Sequence, residues 1–178
     1  TEADPSAFRR SDAFGSFVYT DSTFMLRNYM GAEAPAREIP AASNNRFREF
    51  SLVYNPGVSN KILSINYNGQ VWHTDITKWL PSHVEELSFL ITAATGSRTN
   101  LHQIQIDRME YVTIPDEFTL INLNKDNFLD HFQLHGDATY NQTNGILTLT
   151  QNTRNQSGNA TLIEKISNDH PMEFIGRV

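Results

Sequence analysis

Residues 61–75 read KILSINYNGQVWHTD, and this stretch decides the fold class. Leu63, Ile65 and Tyr67 alternate with polar residues, which is the period of a strand with one buried face and one wet face. The pair Asn68-Gly69 separates this segment from a second segment with strand character. Asn-Gly between two such segments is the strongest short-range hairpin signal. The stretch therefore predicts an antiparallel β-hairpin.

The same period of two recurs along most of the chain. Ile104 and Ile106 alternate with polar residues, and Leu147 and Leu149 alternate with threonines. Further predicted strands cover residues 14–20, 47–54, 71–75, 87–95, 117–121, 160–166 and 172–178. Residues 75–87 are expected to hold a helical turn that ends at a proline, and residues 32–45 a long surface loop. Many short strands with under ~10% helix predict an all-β, antiparallel β-sandwich of the jelly-roll type.

The alternation also predicts which side chains form the core. The residues expected to be mostly buried are Phe17, Leu52, Leu63, Ile65, Phe89, Ile91, Ile104, Phe118, Leu147, Leu149 and Phe174. A shift of one residue in any register would turn these side chains to the solvent face.

The composition excludes several classes of function. The 178 residues carry a net charge of −6, and the lysines and arginines are scattered, so no basic stripe suits nucleic acid. No apolar run approaches the ~20 residues of a membrane helix, so membrane insertion is not expected. The chain has no cysteine, which removes disulfides, thiolate metal sites and cysteine nucleophiles.

The histidines and glutamates give weak catalytic signals. Only His131 and His135 have i,i+4 spacing, which pairs two metal ligands only on a helix, and their context indicates a loop that enters a strand. Glu85 and Glu86 are adjacent, so on a strand they face opposite ways and do not suit a glycosidase pair. Standard nucleophile, zincin and phosphate-loop motifs are missing.

Two aspartates and one arginine stand in predicted loops. Asp4 and Asp12 precede the first strand, where aspartate is either a turn former or a Ca²⁺ ligand, and spacing alone favours the turn. Arg98 follows Gly96-Ser97, and most loop arginines are simply solvated.

Two segments carry a resemblance to a known family. Residues 89–104, FLITAATGSRTNLHQI, resemble the strand–loop–strand near the C-terminal end of L-type (legume-lectin-like) lectins. Residues 128–138, FLDHFQLHGDA, and the later GILTLT and NQSGNA segments look like the N-terminal part of the same family. The FGSFVYTDS stretch at 14–22 and the lack of cysteine are most similar to lectin modules of Gram-positive bacterial surface adhesins. The resemblance implies a concanavalin-like sandwich.

The halves of the resemblance come in reversed order. Residues 1–113 resemble the family's C-terminal half and residues 114–178 its N-terminal half, so we expect 1–178 to form one sandwich. The family's central metal-loop stretch has no counterpart in the chain. A permuted or truncated domain, parts of two tandem domains, or a break in numbering would each explain the order.

The resemblance also implies site residues. Asp4 and Asp12 match Ca²⁺ ligands of the family, whereas Ala13 stands where many members have a histidine, so a transition-metal site is not expected. Gly96, Ser97 and Arg98 match positions that contact sugar. Ca²⁺ belongs to the intact family domain, and we expect this chain alone to bind it weakly or not at all. His102 is expected to be buried or half-buried and to hydrogen-bond the loop backbone.

The functional expectation is glycan binding without catalysis. The predicted partners are glycans or glycoproteins, and the predicted location is extracellular or at a bacterial cell surface. Two other interpretations remain: a structural or stalk module of an adhesin without sugar binding, and a sandwich-fold glycan hydrolase.

Overall fold

The computed structural model describes residues 14–15, 17–20, 26–28, 37–38, 46–80, 83–114 and 120–178. The strands are β1 (Phe14–Gly15), β2 (Val18–Thr20), β3 (Leu26–Asn28), β4 (Arg37–Glu38), β5 (Glu49–Pro56), β6 (Lys61–Tyr67), β7 (Gln70–Asp75), β8 (Glu86–Leu87), β9 (Leu90–Ala94), β10 (His102–Ile114), β11 (Leu120–Leu123), β12 (Phe132–Gly136), β13 (Thr139–Asn141), β14 (Ile146–Thr150), β15 (Ser157–Leu162), β16 (Lys165–Ser167) and β17 (Met172–Arg177). In this part of the chain the helices are a 3₁₀ turn at Thr77–Trp79 and α1 at Phe128–His131. The low helix content agrees with the sequence-based prediction.

Two antiparallel sheets build the sandwich. The larger sheet has the strand order β13-β14-β10-β17-β5-β6-β7, with β11, β16 and β8 paired beside this path. The smaller sheet has the order β12-β15-β9. Two short pairs, β1 with β4 and β2 with β3, complete the described strands. The chain crosses repeatedly between the two sheets, so many neighbouring strands are distant in sequence. The predicted all-β sandwich is confirmed.

The Asn68-Gly69 hairpin forms as predicted. β6 pairs with β7 from Ile62 opposite Asp75 to Tyr67 opposite Gln70. Asn68 has φ 50° and Gly69 has φ 80°. Positive φ at both central residues is the geometry of a type I′ turn, whose twist matches that of the strands. The local sequence is thus sufficient to fix this register.

The last strand joins the two halves of the chain. β17 lies between β5 and β10, with Phe174 opposite Leu52 on one side and opposite Met109 on the other. Because β5 and β10 come from residues 1–113 and β17 from residues 114–178, both halves contribute to the same sheet. The pairing predicted for residues 172–178 is confirmed. The resemblance of each half to a lectin half stays a prediction.

Aromatic side chains fill the space between the sheets. Phe128 stacks on Phe132 at 4.5 Å between ring centroids and on Tyr140 at 4.4 Å. Phe89 makes edge contacts with Phe132 at 6.2 Å and with Phe174 at 5.6 Å. These contacts link strands of the smaller sheet to β17 in the larger one. Offset and edge-to-face pairs add about 0.5–1.5 kcal/mol each to the hydrophobic gain of burial.

The predicted core is largely correct. Phe17, Leu147, Leu149 and Phe174 are buried. Six other predicted residues are partly buried and pack against the two buried clusters: Leu52, Leu63, Ile65, Phe89, Ile91 and Ile104. Phe118 lies outside the described residues. The prediction missed several fully buried side chains, namely Tyr54, Met109, Tyr111, Leu123 and Phe128.

Some predicted strands are split in the structure. Residues 87–95 form β8, which pairs with β16 in the larger sheet, and β9, which pairs with β15 in the smaller sheet. Residues 160–166 likewise divide between β15 and β16. The chain changes sheets at both places, and alternation along one strand carries no signal for such a corner. Residues 14–20 contain two short strands, and β4 lies within the segment predicted as the long loop 32–45.

Residues 168–171 form an interruption between β16 and β17, and both of these strands pair with β10. Asn168, in the interruption, is only 2% exposed. Its Nδ2 donates to the Val84 carbonyl at 2.6 Å, and the Tyr54 hydroxyl lies 2.6 Å from Asn168 Oδ1 and 2.7 Å from its carbonyl oxygen. Burial, with a smaller contribution from Asp169, raises the pKa of Tyr54 to about 12. The phenol therefore stays protonated and remains a donor.

Candidate functional site

One loop contains all three predicted sugar-binding residues. It runs through residues 95–101, between β9 in the smaller sheet and β10 in the larger sheet, and we call it the β9–β10 loop. Gly96, Ser97 and Arg98 lie side by side in it and are exposed. A Cβ atom on Gly96 would meet nothing within 4 Å. The structure thus places these residues on an open surface, where a ligand has access to them.

The base of this loop is fixed by a second loop. Residues 151–156, between β14 and β15, form the β14–β15 loop. The Thr95 amide donates to the Gln156 carbonyl at 2.9 Å, and the Asn155 amide donates to the Gly96 carbonyl at 3.2 Å. The Thr95 hydroxyl donates to the Thr153 carbonyl at 2.8 Å and accepts from the Gln156 amide at 3.0 Å. The two loops therefore form one hydrogen-bonded unit at this end of the sandwich.

The other end of the β9–β10 loop is held by a ring of three hydrogen bonds. The Asn100 Nδ2 group donates to Nε2 of His102 at 3.0 Å. Nδ1 of His102 then carries the proton and donates to Thr150 Oγ1 at 2.7 Å. The Thr150 hydroxyl donates in turn to the Asn100 carbonyl at 3.1 Å. Burial lowers the pKa of His102, which favours the neutral ring that this pattern requires.

The expected partial burial of His102 is confirmed. The residue is partly buried and stands directly after the loop. Its contacts go to the side chains of Asn100 and Thr150, however, and Thr150 supplies the bond to the loop backbone. The prediction of a direct bond from His102 to the loop backbone was therefore wrong in its geometry.

A pocket of about 420 Å³ opens beside the β9–β10 loop. Its lining residues are Arg46, Phe47, Asn100, Leu101, Gln103, Asn152 and Val178. Phe47 and Leu101 are exposed at 36% and 46%, which is high for large apolar side chains. The set thus offers apolar surface beside three side-chain amides and one guanidinium. This combination suits a small polar molecule that has an apolar face.

Sequence reasoning missed this pocket. Asn100 and Leu101 belong to the predicted loop, but Arg46, Asn152 and Val178 come from three other segments. The Arg48 amide donates to the Val178 carbonyl at 2.6 Å, and the Val178 amide donates to the Arg48 carbonyl at 2.8 Å, which brings residues 46–48 to the end of β17. Nothing in one sequence gives that pairing. The available signal was Phe47, an aromatic residue next to two arginines at the start of a predicted strand.

The predicted metal ligands cannot be placed. Asp4 and Asp12 lie outside the described residues. Within the described part, no group of three or more histidine, aspartate or glutamate side chains is arranged to hold a metal ion. His131 ends α1 whereas His135 lies in β12, so the two do not form a helical ligand pair.

His131 instead belongs to a structural cluster. Its Nδ1 lies 2.7 Å from Glu164 Oε1, and the hydroxyl of Tyr111 donates to Glu164 Oε2 at 3.2 Å. Tyr111 is fully buried, and burial followed by the charge of Glu164 raises the pKa of its phenol. A buried hydroxyl needs such an acceptor. The cluster therefore accounts for Glu164 without a catalytic role.

The adjacent glutamates do not share a strand in the structure, so their opposite orientation stays a prediction. Glu86 begins β8, Glu85 precedes it, and both are exposed. The carbonyl oxygen of Glu85 accepts from the Asn168 amide at 2.9 Å, so its backbone anchors the interruption between β16 and β17.

Comparisons with known proteins give a partial match. No family model matches the chain. A serine-rich adhesin for platelets from Staphylococcus aureus is 36% identical over 114 residues, which is 62% of this chain and 5% of that protein. The adhesin of the same name from strain MRSA252 is 36% identical over 113 residues, which is 61% of this chain and 8% of that protein. The chain spans less than a tenth of the length of these relatives.

The match bears on location. Among the described residues no helix has the length and apolarity to cross a membrane. The chain is similar to one part of a much longer bacterial adhesin, in agreement with the predicted location at the cell surface.

Proposed function

We propose that this chain is a glycan-binding module of a cell-surface adhesin, built as an L-type lectin-like sandwich. Gly96, Ser97 and Arg98 contact the sugar, and the partners are glycans or glycoproteins. The module catalyses nothing. The similarity to named adhesins supports the adhesive role, and the resemblance of residues 89–104 to the lectin strand–loop–strand supports the sugar.

The observation that carries this proposal is the fixed, exposed β9–β10 loop. Both of its ends are tied, by Thr95 at one end and by the His102 ring at the other, whereas its middle is open. A loop that is ordered before binding loses less conformational entropy when a ligand binds. Backbone N–H groups, the Ser97 hydroxyl and the Arg98 guanidinium then offer donors to sugar hydroxyl groups.

We propose Asp4 and Asp12 as Ca²⁺ ligands. Ca²⁺ requires about six to eight oxygen ligands, and two carboxylates supply too few of them. We therefore propose that Ca²⁺ dependence appears only when further ligands come from outside this chain. The isolated 178 residues are expected to bind sugar weakly and to bind Ca²⁺ weakly or not at all.

Two rival functions make different predictions. A structural module of an adhesin would bind no glycan under any condition. A glycan hydrolase would convert its ligand, and it would need two facing carboxylates at the binding surface. The β9–β10 loop contains no carboxylate, which favours binding over hydrolysis.

A glycan array tests the proposal. The full chain is probed with added Ca²⁺ and with chelator, and each positive glycan is then incubated with the protein and analysed for cleavage. We expect binding without cleavage, and we expect Arg98→Ala to weaken it about tenfold or more. Lys125→Ala removes the same charge from an exposed side chain beyond the opposite end of β14 and is expected to bind as the wild type. Equal binding by wild type and Arg98→Ala would contradict the proposed site. Because weak binding is expected, a lack of binding by the wild type contradicts the function only if it persists at the highest protein concentration that the array allows.

A further inference from the structure

The pocket beside the β9–β10 loop lies at one end of the larger sheet. In β10 the side chains of Ile104 and Ile106 pack into the core, so Gln103 faces outward. Phe47 lies two residues before β5 and is 36% exposed. The pocket is thus formed where the start of β10, the end of β17 and the residues before β5 meet.

The hydrogen bonds of the lining leave acceptors available. Gln103 Nε2 donates to Thr148 Oγ1 at 2.9 Å, which orients the amide and leaves Oε1 to accept from a ligand. Asn100 Nδ2 is held by His102, which likewise leaves Asn100 Oδ1 to accept. Asn152 is exposed and provides a third amide. Two amides are therefore oriented before any ligand binds.

The remaining lining defines the chemical class of the ligand. Phe47, Leu101 and Val178 supply apolar surface, and Arg46 is the one lining residue with an ionisable side chain. A pyranose ring has a face of C–H groups that can stack on an aromatic side chain and a rim of hydroxyl groups that can donate to amide oxygens. Oriented amides beside an exposed phenyl ring match this pattern.

We propose that this pocket is a second saccharide subsite, distinct from Gly96–Arg98, that takes a pyranose ring. The inference rests on the proposed function. Three peptide units separate Ser97 from Asn100, and they span at most about 11 Å. A single oligosaccharide can therefore contact the loop with one sugar residue and the pocket with another.

The test uses the full 178-residue chain and three probes: the methyl glycosides of mannose, galactose and N-acetylglucosamine. Backbone amide signals are followed by NMR up to high millimolar concentration. We expect at least one probe to shift the signals of Asn100, Leu101, Gln103 and Asn152 with millimolar affinity. Phe47→Ala is expected to weaken that binding about fivefold or more through the loss of stacking.

A matched variant controls for the loss of an exposed apolar side chain. Leu120 in β11 is 59% exposed and pairs with Val112, about ten residues along β10 from the pocket. Leu120→Ala should leave probe binding unchanged. Phe47 is 36% exposed, so its truncation also removes partly buried apolar surface, and the thermal unfolding midpoint is measured to show that the variant is folded. Asn152→Ala provides a second pocket variant should Phe47→Ala fail to fold.

The outcomes separate the subsite from the proposed function. Shifts confined to residues 96–98, or equal affinity in wild type, Phe47→Ala and Asn152→Ala, would overturn the subsite and leave glycan binding by the loop intact. A complete lack of shifts alongside a positive glycan array would also overturn the subsite alone. A lack of shifts together with a negative array would overturn both.

Discussion

Replacing His102 with alanine removes two of the three hydrogen bonds that close the ring around Asn100 and Thr150. The Asn100 side chain loses its acceptor, and the Thr150 hydroxyl loses its donor. The bond from the Thr150 hydroxyl to the Asn100 carbonyl remains possible. The C-terminal end of the β9–β10 loop is then held by one bond instead of three, so we expect the loop to gain mobility.

The size of the effect follows from the bonds removed. An intramolecular hydrogen bond contributes about 1 kcal/mol net, so the loss of two lowers the unfolding free energy by about 2 kcal/mol. Thr150 is 0% exposed, and its oxygen cannot replace the lost donor with bulk water, which keeps the estimate from being smaller. In a domain of this length each kcal/mol lowers the Tm by about 2–4 °C, so the expected decrease is about 4–8 °C.

Thermal unfolding followed by circular dichroism measures this decrease, and amide hydrogen exchange of residues 96–101 measures the loop. His73→Ala is the control, because His73 is exposed on β7, away from the ring. We expect the control to leave both readouts unchanged. A Tm for His102→Ala equal to that of the control, with unchanged exchange in the loop, would refute the role of the ring.

His102 is also expected to make the stability of the folded state depend on pH. Burial lowers the pKa of His102 in the folded state below its ordinary value of 6.5. As the pH falls below 6.5, His102 is protonated in the unfolded chain before it is protonated in the folded chain. The folded state therefore loses stability as the pH falls. We expect His102→Gln, which cannot titrate, to lack this part of the decrease between pH 7 and pH 5. Equal pH profiles for the two proteins would contradict the assignment.

Three further predictions concern stability. Tyr54→Phe leaves the buried Oδ1 of Asn168 without its donor and should lower the urea unfolding free energy by about 1–3 kcal/mol. Gly158→Ala places a Cβ atom in collision with the backbone oxygen of Leu149 and should lower the unfolding free energy by about 3 kcal/mol or more. Gly96→Ala, whose Cβ atom meets open space, should leave the Tm unchanged. Phe128→Ala removes a fully buried ring and should lower the unfolding free energy by about 3–5 kcal/mol, measured in the same urea titration.

The sequence predicted those parts of the fold that depend on local chemistry. Asn68-Gly69 determines a turn by backbone geometry alone, and the period of two predicts the core leucines of β14. The expected wet face of β14 was wrong, because Thr148 and Thr150 are buried as well. Tyr54 and Asn168 show what a sequence does not contain. They are 114 residues apart, and their contact exists only because β17 lies between β5 and β10. A lone tyrosine in a strand gives no sign of such a partner.

The candidate site also has one part that the sequence predicts and one part that it does not. Gly96, Ser97 and Arg98 are neighbours in the chain, so one segment sufficed to predict an exposed polar loop. The pocket needs Phe47, Asn100 and Asn152 together, and these residues meet only through long-range strand pairing. Asp4 and Asp12 stay a prediction from the family resemblance.

The central position of β17 has a mechanical consequence for the larger sheet. A pulling force applied at Val178 acts along a strand that is bonded to β5 on one side and to β10 on the other. Extraction of this strand must shear two ladders together, whereas an edge strand is released by breaking one. The first bonds under tension are those between Val178 and Arg48, at the wall of the pocket. Tension along β17 from the side of Val178 would therefore reach the pocket before it reaches the core.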